Sequence, residues 1–391
     1  MSGLSSKSDQ TEHLVNGNLS LSEAYNKRTM RALFINPGGI GDQILLLPTV
    51  KLLKERFPDL QIDLVTESRS SCIAELTHLY RKVKEFNFKD RNPNIFKLRE
   101  LLRERPYKYL ISTGSSLKAN IVASLGNAEL KIGFNNSFIS GLFLTHPVKL
   151  NKVQYTANMF AELLLPIIPD LEKKIKEQDL IPDIKLNPKA IEWVKEILNP
   201  RIKERFHAKK IFIHPGVSSL SIKKNILKSW SPKNWAILIE KLIDNQNNTV
   251  ILLGGKDDLH TIDEIHKKLT FFARPKNFFD FSTLDLSLEK LSALIGSADL
   301  LVCTDSAPMH IAVGLNKKLV AFFGPTNPQK LLPKDPRFLA VHVDNLECRP
   351  CLFDKRKESC SKPKCLEVTP QMMIEGINKQ LSLSLSLYSK N

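Results

Sequence analysis

Apolar and polar positions along this chain fall into two alternating kinds of stretch. Short continuous apolar runs stop abruptly at small or polar residues, and amphipathic stretches follow them. That rhythm predicts strands, each feeding a turn and then a helix. The runs at Arg31–Ile35, Asp63–Thr66, Tyr109–Ser112, Lys131–Phe134, Lys210–Pro215, Thr249–Leu253, Leu300–Cys303 and Leu319–Phe323 read as strands. A helix is expected from Asp42 towards Arg56, with Pro48 bending it or breaking its first turn. Another covers 94–106, where Ile95, Leu98, Leu101 and Leu102 share one face. A third starts with Ser231 as N-cap and Pro232 at the first position, carrying Trp235, Leu238, Ile239 and Leu242 on one side. Further helices are expected over 288–298, from Ala307-Pro308, and from Thr369-Pro370 through Ile377. Strands that alternate with helices predict an α/β protein with parallel sheets.

At 391 residues the chain exceeds one domain of ordinary size, and its 42% hydrophobic content supports real cores. Its formal charge of +16 is spread along the chain and favours polyanions: nucleic acid, an anionic lipid surface or a phosphorylated substrate. No basic run carries regular aromatic interleaving, so nucleic acid is not an expected partner. No apolar run reaches about 18 residues, so no membrane span is expected. Residues 1–29 are polar and lack the apolar centre of a secretory signal; they read as a disordered leader on a cytoplasmic protein that touches the inner membrane at most peripherally. Residues 30–170 and 190–368 read as two domains, with the Lys- and Pro-rich 171–189 as linker and 369–391 as a terminal helical segment.

The chemistry gathers where strands end. The first strand runs into Asn36-Pro37-Gly38-Gly39-Ile40-Gly41-Asp42. In open parallel sheets ligands bind at that edge, and a helix N-terminus there suits phosphate. The glycines are not spaced G-x-G-x-x-G, which argues against a nicotinamide cofactor. Taken alone, Asp42 reads equally as an acid of the helix start. In the second half the strand ends carry His214 to Ser219, Gly254 to Asp258, Thr304 to His310 and Gly324 to Thr326, with Lys228 just before the helix at Ser231. Singly, Asp305 would be an N-cap, His310 a core-edge imidazole and Lys228 a solvated lysine.

Two stretches resemble a known family. GDQILLLPTVKLLKERFP is similar to an N-terminal signature G-D-x-L-L-x-x-P, and TDSAPMHIAVGLNKKLVAFFGPTNP to a C-terminal D-S-G-P-x-H-x-A followed by G-x-P-V-V-A-L-F-G-P-T. Both belong to glycosyltransferase family 9, of the ADP-heptose:lipopolysaccharide heptosyltransferase type. The resemblance covers 31–66 and 210–375. It implies a GT-B fold, two Rossmann-like domains facing a cleft, with the terminal helix returning to the N-terminal domain. The implied activity is an inverting, metal-independent transfer of a sugar, heptose being commonest, from a nucleotide diphosphate donor such as ADP-heptose. The acceptor would be a lipopolysaccharide core or another anionic glycan or glycolipid, and no cofactor is required. By the same resemblance Asp42 is the catalytic base, Lys228 holds the leaving diphosphate, and Ser218 or Ser219 donates to it. Asp258, with Asp257 as fallback, accepts from the ribose hydroxyls, as a carboxylate can do with both its oxygens. Asp305, Ser306, Ala307 and His310 line the nucleotide-sugar pocket. The family usually has Gly at 307 and Glu at 258. No two aspartates are spaced D-x-D, so the metal-clamp pattern of other transferases is missing. Two alternatives remain open, a non-catalytic nucleotide-sugar-binding protein and a sugar-nucleotide epimerase on the same fold.

Cys72 and Cys303 sit in apolar surroundings and read as small buried hydrophobes. The other four are packed as Cys348-x2-Cys351-x8-Cys360-x4-Cys365. Four such thiolates could surround a structural zinc ion, or remain reduced thiols or a redox pair, in each case outside catalysis.

Overall fold

The structure is a computed structural model that describes residues 30–383 except 206, 224–225, 272, 274, 352–359 and 361–362. The expected leader at 1–29 lies outside the described residues. In the first half β1 (Arg31–Asn36), β2 (Gln61–Thr66), β3 (Lys82–Glu85), β4 (Tyr107–Ser112), β5 (Ala128–Asn135) and β6 (His146–Lys149) form a parallel sheet in the order β3-β2-β1-β4-β5-β6. Helix α1 (Ile40–Arg56) connects β1 to β2, α2 (Ile95–Arg103) connects β3 to β4, and α3 (Leu117–Ser124) connects β4 to β5. Side chains of β1 alternate between two cores, Ala32 and Phe34 on one face, Leu33 and Ile35 on the other. That period of two is the reason the strand reads as a continuous apolar run.

After α4 (Thr156–Ala161), α5 (Leu171–Glu177) and α6 (Pro188–Ile202), a second parallel sheet begins. It comprises β7 (Lys209–His214), β8 (Asn248–Leu252), β9 (Phe278–Asp280), β10 (Leu300–Thr304), β11 (Leu319–Phe322) and β12 (Phe338–Val341). Helices α7 (Pro232–Asp244), α8 (Leu288–Ser297), α9 (Ala307–Gly314) and α10 (Pro370–Ser382) accompany it. Its order, β12-β11-β10-β7-β8-β9, repeats that of the first sheet when the strands are counted from its own start. In each sheet the order reverses between the first and fourth strands, so each has a crevice there, at β1/β4 and at β7/β10.

Three expectations need correcting. Pro48 does not break the first turn of α1, which runs unbroken from Ile40 to Arg56. Every residue from Gln43 to Val50 is buried, and packing on several sides outweighs the one backbone bond that proline omits. The expected linker is structured: α5 occupies its start with Leu171 and Ile175 buried. Its remainder is strapped to both halves. Ile184 N donates to Gly314 O at 3.0 Å in the second half, and Lys185 N to Leu76 O at 3.4 Å in the first. Finally, α10 does not return to the first sheet. Met373 and Ile377 pack into the second core with Val320, Phe322 and Val341.

Trp230 ties α10 to that core. Its indole N–H donates to Val368 O at 2.8 Å, its ring stacks on Phe322 at 5.9 Å, and Trp235 meets its face edge-on at 4.9 Å. Trp230→Ala should therefore destabilise the fold by about 3–5 kcal/mol, read from the urea midpoint at unchanged m-value.

Candidate active site

The turn after β1 is pinned from several sides. Asn36 Oδ1 accepts from Gly38 N at 3.1 Å, and the buried Gln43 amide donates to Asn36 O and to Thr66 Oγ1 at 3.0 and 2.9 Å. Asp42 lies in the first turn of α1, where Oδ2 accepts from Gly39 N at 2.8 Å. The residue is exposed. This arrangement is at once the helix-start acid and an exposed carboxylate beside the β1/β4 crevice. Thr113 Oγ1 bridges that crevice to Asn36 Oδ1 at 3.0 Å.

The second sheet presents a matching edge. Thr304 Oγ1 donates across the β7/β10 crevice to Gly216 O at 2.5 Å. Next to it Asp305 is buried, with Oδ2 taking Lys228 Nζ at 2.8 Å and the Thr326 hydroxyl. Lysine is held here at the mouth of α9 with donor capacity left over, since an ammonium carries three N–H groups. Ser306 caps α9 in position but not by its side chain, whose Oγ turns to Thr304. Ala307 opens the helix, and the peptide N–H groups at this tip lack helical partners.

Asp258 and His214 form a buried pair beside this edge, Oδ2 to Nε2 at 3.6 Å. Burial pushes the carboxyl of Asp258 up and the imidazole of His214 down, each opposed by the charge of the other. Oδ2 of Asp258 also accepts from Gly255 N at 2.9 Å. Gly216 makes room for the carboxylate: a Cβ there would lie 1.7 Å from Asp258 Oδ1. Asp257 instead accepts from Ser219 N at 3.3 Å, at the start of the short helix Ser219–Lys223. Ser218 is exposed and bonds Ser221.

The two edges meet at His310. Its imidazole is buried, and a Cβ on Gly41 would lie 2.6 Å from His310 Cδ2. The tips of α1 and α9 therefore approach as closely as a missing side chain permits. Burial pushes the imidazole down to about 4; Asp305 and, across the gap, Asp42 oppose that, and Lys228 adds to it. Two acids, a lysine and a neutral imidazole from both halves thus share one locality.

Comparison with known proteins identifies the family and the fold. The model of glycosyltransferase family 9 (heptosyltransferase) matches residues 95–362. The chain belongs to glycosyltransferase family 9. A lipooligosaccharide heptosyltransferase 2 of Campylobacter jejuni is 26% identical over 362 residues, covering 90% of this chain and 99% of that protein. The solved Escherichia coli ADP-heptose lps heptosyltransferase II superposes with a TM-score of 0.68 at 20% identity, covering 90% of this chain and 98% of the other. An E. coli heptosyltransferase with ADP-2-deoxy-2-fluoro heptose gives 0.63 at 15% identity, covering 90% and 99%. The fold is GT-B, and the protein is a glycosyltransferase.

In this family 9 transferase the structure brings Asp42, Lys228, Asp305, Ser306, Ala307 and His310 together and sets Asp258 beside them. Sequence reasoning missed Thr326, although the Gly-Pro-Thr turn was visible, and Gly41, whose role is only spatial. It also missed Arg69, whose guanidinium lies 3.4 Å from where a Gly39 Cβ would stand. The structural zinc ion left open for the cysteine cluster finds no support. All four cysteines of the cluster are free, Cys348 and Cys360 exposed and Cys365 buried. Burial and the neighbouring thiols push Cys365 up to about 11. Among the described residues no group of three or more His, Cys, Asp or Glu is arranged for a metal.

Gly41→Ala should lower kcat/KM at least tenfold while far-UV circular dichroism stays unchanged, because the added methyl forces the helix tips apart. His310 supplies a pH test. Its folded pKa of about 4 lies below the ordinary 6.5, so its contribution is fully present above pH 6.5 and is lost as pH falls from there towards 4. The loss is on the order of 3 kcal/mol. Urea midpoints between pH 7.5 and 4.5 should fall less steeply for His310→Gln than for the wild type.

Proposed function

We propose that this family 9 transferase moves a heptose from ADP-heptose to a sugar of a lipopolysaccharide core, inverting the anomeric carbon without a metal ion. The observation that carries the reading is the convergence of the α1 tip, with Asp42, on the Lys228–Asp305 pair and His310 of the opposite sheet. A base and a cationic anion site on opposite walls suit a displacement at a carbon held between them. The printed names of relatives support the substrate class: lipooligosaccharide heptosyltransferase for one, bound ADP-2-deoxy-2-fluoro heptose for another.

In the proposed reaction the acceptor hydroxyl gives its proton to Asp42 while its oxygen attacks the anomeric carbon. The bond from that carbon to the diphosphate oxygen breaks on the far side, so configuration inverts. The leaving ADP gains negative charge, which Lys228 and the free N–H groups at the α9 tip stabilise. Asp305 keeps the ammonium in place, and Thr326 holds Asp305. Neutral His310 fills the gap between walls without adding charge. Asp258, or Asp257, would take the ribose, with Ser218 and Ser219 near the diphosphate. The protein would work in the cytoplasm against the inner membrane, where a glycolipid acceptor is met.

Thermal shift with ADP, UDP, GDP and CMP tests the donor site, since a ligand of the native state raises Tm. ADP alone should stabilise, and Asp258→Ala should lose the effect. Preference for UDP or GDP would discard heptose, and no shift from any would overturn the nucleotide-sugar reading. Asp42→Asn should lower kcat at least hundredfold while the ADP shift persists. Donor isomerised without acceptor would instead favour an epimerase.

A further inference from the structure

Most of the exposed large apolar side chains sit on the first half, and the helices that carry them cover the sheet face away from α1. Leu98 and Leu102 of α2 and Val122 and Ala123 of α3 pack into one core with Leu33, Ile35 and Leu144. The same helices leave Phe96 85% exposed, with Ile95, Leu117 and Ile121 also open to solvent. Close by in the chain, Ile139 and Leu142 are 62% and 68% exposed. Between α2 and α3 lies an open groove of 340 Å³ lined by Ile95, Phe96, Arg99, Arg103, Ser124 and Leu125.

Helical spacing sorts charge across α2. Ile95, Phe96, Arg99 and Arg103 lie along the flank facing the groove, Glu104 falls on the opposite flank with Lys97 and is held by Lys82 and Lys84, and Glu100 sits one turn beyond Phe96 outside the groove lining. No acid lines the groove, and neither Arg99 nor Arg103 has an ion pair among the described residues. On α3, Leu117, Ile121 and Leu125 make a stripe that continues into the same groove. Each crossover helix starts on the carboxyl side of the strand before it. Phe96 and Leu117, in the first turns of α2 and α3, therefore lie towards the sheet edge that carries Asp42.

We propose that this face docks on an anionic phospholipid bilayer. An interface that offers both phosphates and acyl chains satisfies both halves of the patch: guanidinium forks on the phosphate plane, Phe96 and its aliphatic neighbours below it. A second copy of the chain fits poorly, because the net charge of +16 brings cations to cations. Nucleic acid would leave the aliphatic stripe uncovered. Docking here would present the acceptor-side rim to a membrane-borne glycolipid. That purpose rests on the transferase reading, but the binding itself does not.

The full chain should be tested by co-sedimentation with vesicles of phosphatidylglycerol and phosphatidylethanolamine, against vesicles of phosphatidylcholine. The wild type should partition at least tenfold better onto the anionic vesicles. Arg99→Glu with Arg103→Glu should remove that preference, and Phe96→Ser should weaken binding about fivefold at unchanged net charge. The ADP thermal shift of each variant reports an intact fold and keeps failure here separate from failure of the donor site. Equal binding to phosphatidylcholine, no binding by the wild type, or variants that bind like the wild type would each overturn the proposal. So would a wild-type dimer in sedimentation that Phe96→Ser dissolves, which would assign the face to a second copy.

Discussion

Two helix tips from separate sheets can meet only if neither carries bulk at the point of contact. Gly41 supplies that condition for α1, and the flat edge of His310 fills the space from α9. The backbone at Gly41 is ordinary helix, so the requirement is space and not conformation. Everything assigned to the cleft follows from this approach. It sets the distance between Asp42 and the cationic wall, and it buries the imidazole deeply enough to keep it neutral.

Charge within the cleft is arranged in pairs whose members sit on different loops. Lys228 lies before α7, Asp305 after β10 and Thr326 after β11, yet all three meet at one carboxylate. A buried acid so placed beside a helix N-terminus would bind cations; paired with lysine it becomes part of an anion site. The His214–Asp258 pair works differently, because burial disfavours charge on both partners. One pair therefore sets an ammonium, with its carboxylate partner, beside the cleft, while the other adds little charge.

Much of this was legible in the residues. Apolar runs bounded by small residues located the strands, because buried parallel strands need apolar side chains on both faces. The polar clusters at strand ends marked the cleft before any geometry was known. Less legible were contacts that depend on distance in the chain. Nothing near Thr369 says that α10 stays on its own sheet; that depends on Trp230 and on the surfaces of Phe322 and Val341. The span after Pro169 reads as linker because its apolar residues are spaced for contact with two partners at once. Phe96 was obscured by Leu98 and Leu102, which account for a helix there without it.

The strap over Ile184 and Lys185 has a mechanical consequence. Ile184 is hydrogen-bonded to Gly314 and its side chain fills the space that Gly314 leaves, while Lys185 is bonded to Leu76. Thr156 reaches Lys330 and Asp179 reaches the Lys334 amide in the same region. With these ties on one side, the two halves cannot slide apart. An opening that kept these ties would be a rotation about the strap. Melting one half would also strip packing from the other, which couples the two in stability.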